Sequence, residues 1–121
     1  MNDAQIKSGT DAVQGALKAL GMCRAAGKTV CGTDLICRAL HRKGTVACVV
    51  MASDASEGTA KRISDKCTFY GVSLYRIQAS MADLAYAVGK RGGQTAAVAI
   101  TDHNLAGLFK TKLGVGMQGQ E

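Results

Sequence analysis

Seven consecutive residues, Val46–Ala52, carry no polar side chain. The run has the length of a strand, and strand side chains alternate between the two faces of a sheet. An unbroken apolar strand is therefore satisfied only where helices cover both faces. Few folds of 121 residues can provide that cover, and the length itself suits one domain able to bury a core without disulfide or metal staples.

The segments around the run supply the helices. Ser8 with Asp11 has capping-box spacing, after which Val13, Ala16, Leu17 and Leu20 recur at helical intervals to about Ala25. Gly27 stops that helix, and Thr29-Val30 suggests a short strand entering Cys31-Gly32. Thr33 and Asp34 are candidate caps for a second helix through Arg42, with Ile36, Ala39 and Leu40 facing inward and Lys43-Gly44 closing it. After the turn Ser53–Ser56, a third helix is predicted from Glu57 to Tyr70, ended by Gly71. Val72–Ile77 reads as a strand, and Ser80 with Asp83 opens a helix reaching Gly89. Beyond the loop Lys90–Gln94 come a buried strand, Thr95–Ile100, and a final helix, Asp102–Leu113. This alternation implies the α/β class: a three-layer α/β/α sandwich around a small mixed four-stranded sheet. A single domain is expected over residues 1–113, with a loose start at 1–7 and a flexible glycine-rich tail at 114–121.

Charge and composition narrow the function. Lys and Arg outnumber Asp and Glu by 15 to 9, which favours an anionic partner. No apolar run approaches the ~20 residues needed to cross a bilayer, and the start, Met-Asn-Asp-Ala-Gln, lacks the parts of a signal peptide. A cytoplasmic protein with no membrane partner is expected, and a monomer. The five cysteines are odd in number and include no CxxC pair, so free thiols packed as small hydrophobes are expected, with no metal site. Gly21 and Gly27-Lys28-Thr29 resemble a phosphate-binding loop, but five residues separate the glycines where four are required, and the segment leaves a helix. Gly114, Gly116 and Gly119 match a dinucleotide fingerprint only formally, with no strand before them. His41 and His103 lie far apart, and no nucleophile or carboxylate pair is visible. No catalytic residue and no cofactor are expected. With no Trp and 4% aromatic residues, stacking platforms for sequence-tolerant single-strand binding are scarce.

What remains is a pattern of charge around the second helix. Lys28 precedes it, Gly32-Thr33-Asp34 opens it, and Arg38 and Arg42, four residues apart, project from one side. A helix N-terminus offers unpaired N–H groups and partial positive charge to an anion, and two arginines a turn apart can straddle a phosphate backbone.

The strings Leu20–Gly32, Ala52–Ser56, Asp65–Tyr70 and Ala87–Lys90, in order and spacing, resemble those of the bacterial YlxQ-type proteins. These are small members of the kink-turn RNA-binding superfamily that includes the archaeal large-subunit ribosomal protein seven-Ae. The resemblance covers about residues 14–109. It implies a non-catalytic protein binding structured RNA, ribosomal or kink-turn-like, through the start of the second helix and the loop before the last strand. In that superfamily the helix opens with a Gly-x-Asn-Glu pattern that meets sheared G·A pairs. Here Gly32 and Thr33 match, Asp34 stands at the Asn position and Leu35 at the Glu position, while Arg38 and Arg42 match the basic positions. Asp34 accepts hydrogen bonds but cannot donate as Asn does, and Leu35 does neither. The resemblance further implies that Gln94, Thr95, Ala96 and Ala97 belong to the small, apolar loop that packs against an extruded base, with Lys90 and Arg91 just upstream. The alternative reading is a protein-interaction or ribosome-assembly module whose basic face meets an acidic protein surface.

Overall fold

The apolar run folds as expected into an inner strand. In the computed structural model, which describes residues 2–90 and 92–114, Cys48–Met51 form β2, flanked in the sheet by β4 (Ala97–Ile100) and β3 (Ser73–Arg76). The short β1 (Thr29–Cys31) pairs with the far side of β4, giving the order β1-β4-β2-β3. β2 and β3 are parallel, while β4 is antiparallel to both β1 and β2, so the sheet is mixed and its two inner strands are wholly buried. Val46 and Ala52 are buried as well but lie outside the ladder, and the run therefore reads longer than the strand.

Pleating sends alternate side chains of β2 and β4 into two separate cores. Cys48 and Val50, with Val98 and Ile100, face α1 (Asn2–Ala25), α4 (Met81–Ala87) and α5 (His103–Leu113), where Leu20, Leu84 and Phe109 are fully buried. Val49 and Met51, with Ala97 and Ala99, face α2 (Thr33–His41) and α3 (Glu57–Tyr70), meeting Ile36, Leu40, Ile63 and Cys67. The three-layer α/β/α sandwich follows directly. No helix among the described residues is long and apolar enough to cross a membrane.

The helix ends show which local signals acted. Ser56 Oγ accepts from the Thr59 amide at the start of α3, and Gly71, in the left-handed conformation, closes it. Ser80 and Asp83 form the reciprocal capping box, at 3.0 and 3.1 Å, and Asp102 caps α5 through the Leu105 amide at 2.9 Å. The Ser8–Asp11 spacing acts differently. α1 is already helical from Asn2, so Ser8 lies within the helix and not at its start. Gly114 is the C-cap of α5, and the rest of the expected tail lies outside the described residues.

Cys23, Cys31, Cys37, Cys48 and Cys67 are all free thiols, four of them buried as core side chains. Burial pushes the Cys48 thiol up to about 12, partly opposed by Lys110, and the Cys67 thiol up to about 11. A thiol whose folded value is raised binds its proton more tightly in the native state, so its stabilising contribution is complete below the unfolded value of 9.0 and fades as pH climbs through the folded one. Urea midpoints are therefore expected to fall between about pH 9 and 11 as these protons are lost. The Cys48→Ala/Cys67→Ala variant is expected to show a shallower fall over the same interval, and an equal slope would show that other groups govern alkaline unfolding.

Candidate functional site

α2 is built to expose one basic stripe. Ile36, Cys37 and Leu40 turn toward the protein, whereas Leu35, Arg38 and Arg42 are solvent-facing. Residues three, four and seven apart share a helix face, so these last three follow one line along it. Beside this line runs β1, an edge strand of the sheet. Between helix and strand lies an open groove of about 580 Å³, floored by Thr29, Val30 and Cys31 and walled by Leu35, Arg38, Ala39 and Arg42. Lys90 closes its remaining side. Three cations from two distant segments thus meet along a groove whose lining residues include no carboxylate.

The start of α2 departs from the sequence expectation. Thr33 and Asp34 do not cap it. Gly32 is the N-cap residue, with φ 95° and ψ 134°, and no side chain accepts from the first-turn amides, unlike the starts of α3, α4 and α5. The Gly32 carbonyl accepts from the Ile36 amide at 2.9 Å, placing the helix start one residue before the polar side chains. The resulting N-terminus keeps donors available to an external anion. A Cβ at position 32 would touch nothing within 4 Å, so a larger side chain here meets only backbone strain. Gly32→Ala is expected to lower stability by about 1–3 kcal/mol, read as a reduced urea midpoint with unchanged slope. An unchanged midpoint would show that the α2 start adopts another backbone conformation.

Asp34 is held by an exposed ion pair: Arg62 of α3 donates to its Oδ1 at 2.9 Å. The pair offsets the negative charge that the carboxylate brings to the start of α2. With half of the Arg62 side chain and three-quarters of that of Asp34 exposed, it contributes little to stability. Arg62 lies 28 residues further along the chain, and no local signal in the sequence joins it to Asp34.

Arg24 is a second omission from the expected site. Its guanidinium carbon lies 2.9 Å from where a Cβ at Gly89 would sit, and Gly89 has φ 81°. Glycine at this position therefore admits both the turn and the arginine beside Lys90. Burial raises the Cys31 thiol, with Lys90 and Arg24 acting in the opposite direction, which places both cations in the field at the groove floor.

The other expected residues divide. Lys28 is exposed in the turn before β1, where its amide donates to the Cys23 carbonyl and its carbonyl accepts from the Thr101 amide. It is not among the residues lining the groove. Gln94 is exposed. Thr95 and Ala97 are placed differently from Gln94. Thr95 is 6% exposed, its hydroxyl donating to the Ala97 carbonyl at 2.9 Å, and Ala97 is 1% exposed, within β4 against the α2/α3 core. Half-buried Ala96 packs against the same core, its carbonyl accepting from the Ala52 amide. Small side chains next to a strand serve a core as readily as a loop, and here they serve the core. Arg91 lies outside the described residues.

Residues 6–109 match the model of the ribosomal protein L7Ae/L30e/S12e/Gadd45 family. The chain belongs to this family. Among its relatives is the RNA-binding protein YlxQ of Bacillus subtilis (strain 168), 36% identical over 87 residues, which cover 72% of this chain and 83% of that protein. The RNA-binding protein YlxQ of Enterococcus faecium is 32% identical over 77 residues, covering 64% and 73% of the two chains. These matches bear out the YlxQ-type resemblance read in the sequence. Among solved structures, a protein of unknown function from Bacillus halodurans C superposes with a TM-score of 0.74 at 23% identity, covering 82% of this chain and 96% of that one. The Giardia lamblia 15.5kD RNA binding protein superposes with a TM-score of 0.69 at 18% identity, covering 85% of each chain. Both carry the α/β/α fold described above.

Proposed function

We propose that this family member is a non-catalytic protein that binds structured RNA, kink-turn-like or ribosomal, along the groove between α2 and β1. The observation that carries the reading is the convergence of Arg38, Arg42 and Lys90 on a carboxylate-free groove. The RNA-binding names of both YlxQ relatives support it. In this reading Arg38 and Arg42 hold phosphates on one strand, Lys90 holds the other side of the groove, and the uncapped start of α2 receives a phosphate or a base edge at Gly32 and Thr33. Leu35, 53% exposed within the groove wall, offers an apolar surface to a splayed base or sugar. Asp34, with its charge offset by Arg62, accepts from a guanine edge, and Gln94 extends the surface from the loop before β4, while Arg91 is retained from the sequence alone as a further RNA contact.

The test is a mobility-shift titration at stated salt, using a kink-turn duplex and a straight duplex of equal length with the protein and its Arg38→Ala and Arg42→Ala variants. Tighter binding to the kinked RNA, weakened by either substitution, is the expected result. Equal binding to both RNAs, insensitive to the arginines, would overturn the assignment of the site.

A further inference from the structure

The scarcity of aromatic residues argues against a stacking platform, but their placement changes that conclusion. Of three tyrosines and two phenylalanines in the chain, Phe69 and Tyr70 stand side by side at the end of α3, their rings edge to face with centroids 4.8 Å apart. Phe69 is 79% exposed, the most exposed large hydrophobic side chain among the described residues. A ring so placed gives up the burial that normally retains a Phe in a fold. His41, at the end of α2, meets Tyr70: their rings pack edge to face at 5.3 Å, with the Tyr70 hydroxyl and His41 Nδ1 in hydrogen-bond contact at 2.6 Å. This contact fixes the Tyr70 ring and leaves the Phe69 ring unencumbered by it.

Between the two helix ends opens a cleft of about 570 Å³, lined by Leu40, His41, Arg42, Lys43, Phe69 and Tyr70 together with loop backbone and small side chains. Its lining includes no carboxylate, and Asp65, one turn before Phe69, is engaged by Lys61 at 3.0 Å. Arg42 lines both this cleft and the groove at β1, so the two surfaces are continuous. An exposed ring beside two cations, joined to a phosphate-binding groove, has the composition of a single-strand nucleotide site, in which bases stack on rings and phosphates meet the basic rim.

We infer that the cleft holds an unpaired nucleotide flanking the structured RNA, its base stacked on Phe69 and its phosphates on Arg42 and Lys43. The inference rests on the proposed groove and adds a second subsite about 14 Å along α2 from Gly32. It assigns to the RNA a single-stranded extension, where the groove alone requires only a folded duplex.

The test measures fluorescence anisotropy of the full chain with a blunt-ended kink-turn RNA and with the same RNA carrying a single-stranded tail of about six nucleotides at one end or the other. One tailed RNA is expected to bind about ten-fold more tightly than the blunt RNA. Phe69→Ala is expected to erase that gain, Phe69→Tyr to keep it, and both to leave binding of the blunt RNA unchanged. Because the side chain is exposed, neither substitution disturbs the core. A gain that survives Phe69→Ala, or no gain from any tail while the blunt RNA still binds, would overturn the cleft site and leave the groove reading standing. Failure of the unsubstituted protein to bind either RNA would overturn both.

Discussion

The Arg38→Ala/Arg42→Ala double variant is expected to bind a kink-turn RNA about 100-fold more weakly than the unsubstituted protein. Each guanidinium is solvent-facing on the wall of the groove, free to make charge-assisted hydrogen bonds to phosphate oxygens. Such bonds contribute about 1.5–3 kcal/mol apiece, and ten-fold per arginine stands at the low end of that range. The two positions are a turn apart along α2, so a shortfall from additivity reports coupling between them. A second readout is independent of absolute affinity: loss of two phosphate contacts lowers the slope of log affinity against log salt by about 1.4–1.8. Stability is expected to remain within about 0.5 kcal/mol, since neither side chain is buried. A variant that loses affinity but keeps the full salt slope would show that the arginines act on the shape of α2 and do not touch phosphates.

Much of the fold was legible because its local signals agree with its packing. The third helix ends where Gly71 reaches the left-handed region, and the box at Ser80 and Asp83 closes as its spacing predicts. At α1 the same spacing misleads. A capping box requires the chain to leave helical geometry at the serine, and a helix that already extends back to Asn2 carries Ser8 as an interior residue. At α2 a positive-φ glycine displaces two good capping side chains, since the turn out of β1 fixes the helix start before Thr33 and Asp34 are reached. The basic stripe was legible because Arg38 and Arg42 obey helical spacing. The contact between Asp34 and Arg62 was not, since it joins two helices whose relative placement only the packed sandwich sets. The burial of Thr95 and Ala97 was legible in the apolar strand expected over Thr95–Ile100, although β4 itself begins only at Ala97. The aromatic count was read correctly as low, but a count carries no position, and both rings of one pair lie at a single cleft.

Phe109→Ala is expected to lower unfolding free energy by about 3–5 kcal/mol, a large share of the roughly 5–15 kcal/mol typical of a whole domain. Phe109 is 0% exposed and has the largest side chain among those fully buried. It lies in the core that joins α1, α4 and α5 to the sheet, with the Tyr75 ring of β3 at 6.2 Å. Helices α1 and α5 pack closely against each other, so a cavity here loosens the layer opposite α2. That geometry separates the effects of this variant from those of the arginine pair. The wall that carries Arg38 and Arg42 belongs to α2 and its C-cap, and the core of α2 is formed with Ile36, Leu40, Ile63 and Met51 on the other sheet face. At a temperature where Phe109→Ala is still folded, its affinity for the kink-turn RNA is therefore expected to stay within about three-fold of the unsubstituted protein, while its urea midpoint falls sharply. The link between layers runs through α1, whose last turn carries Arg24 against Gly89 beside Lys90. A ten-fold loss of affinity in folded Phe109→Ala would mean that this contact transmits the looseness of the far layer to the groove, making the fixed position of Arg24 a requirement for binding.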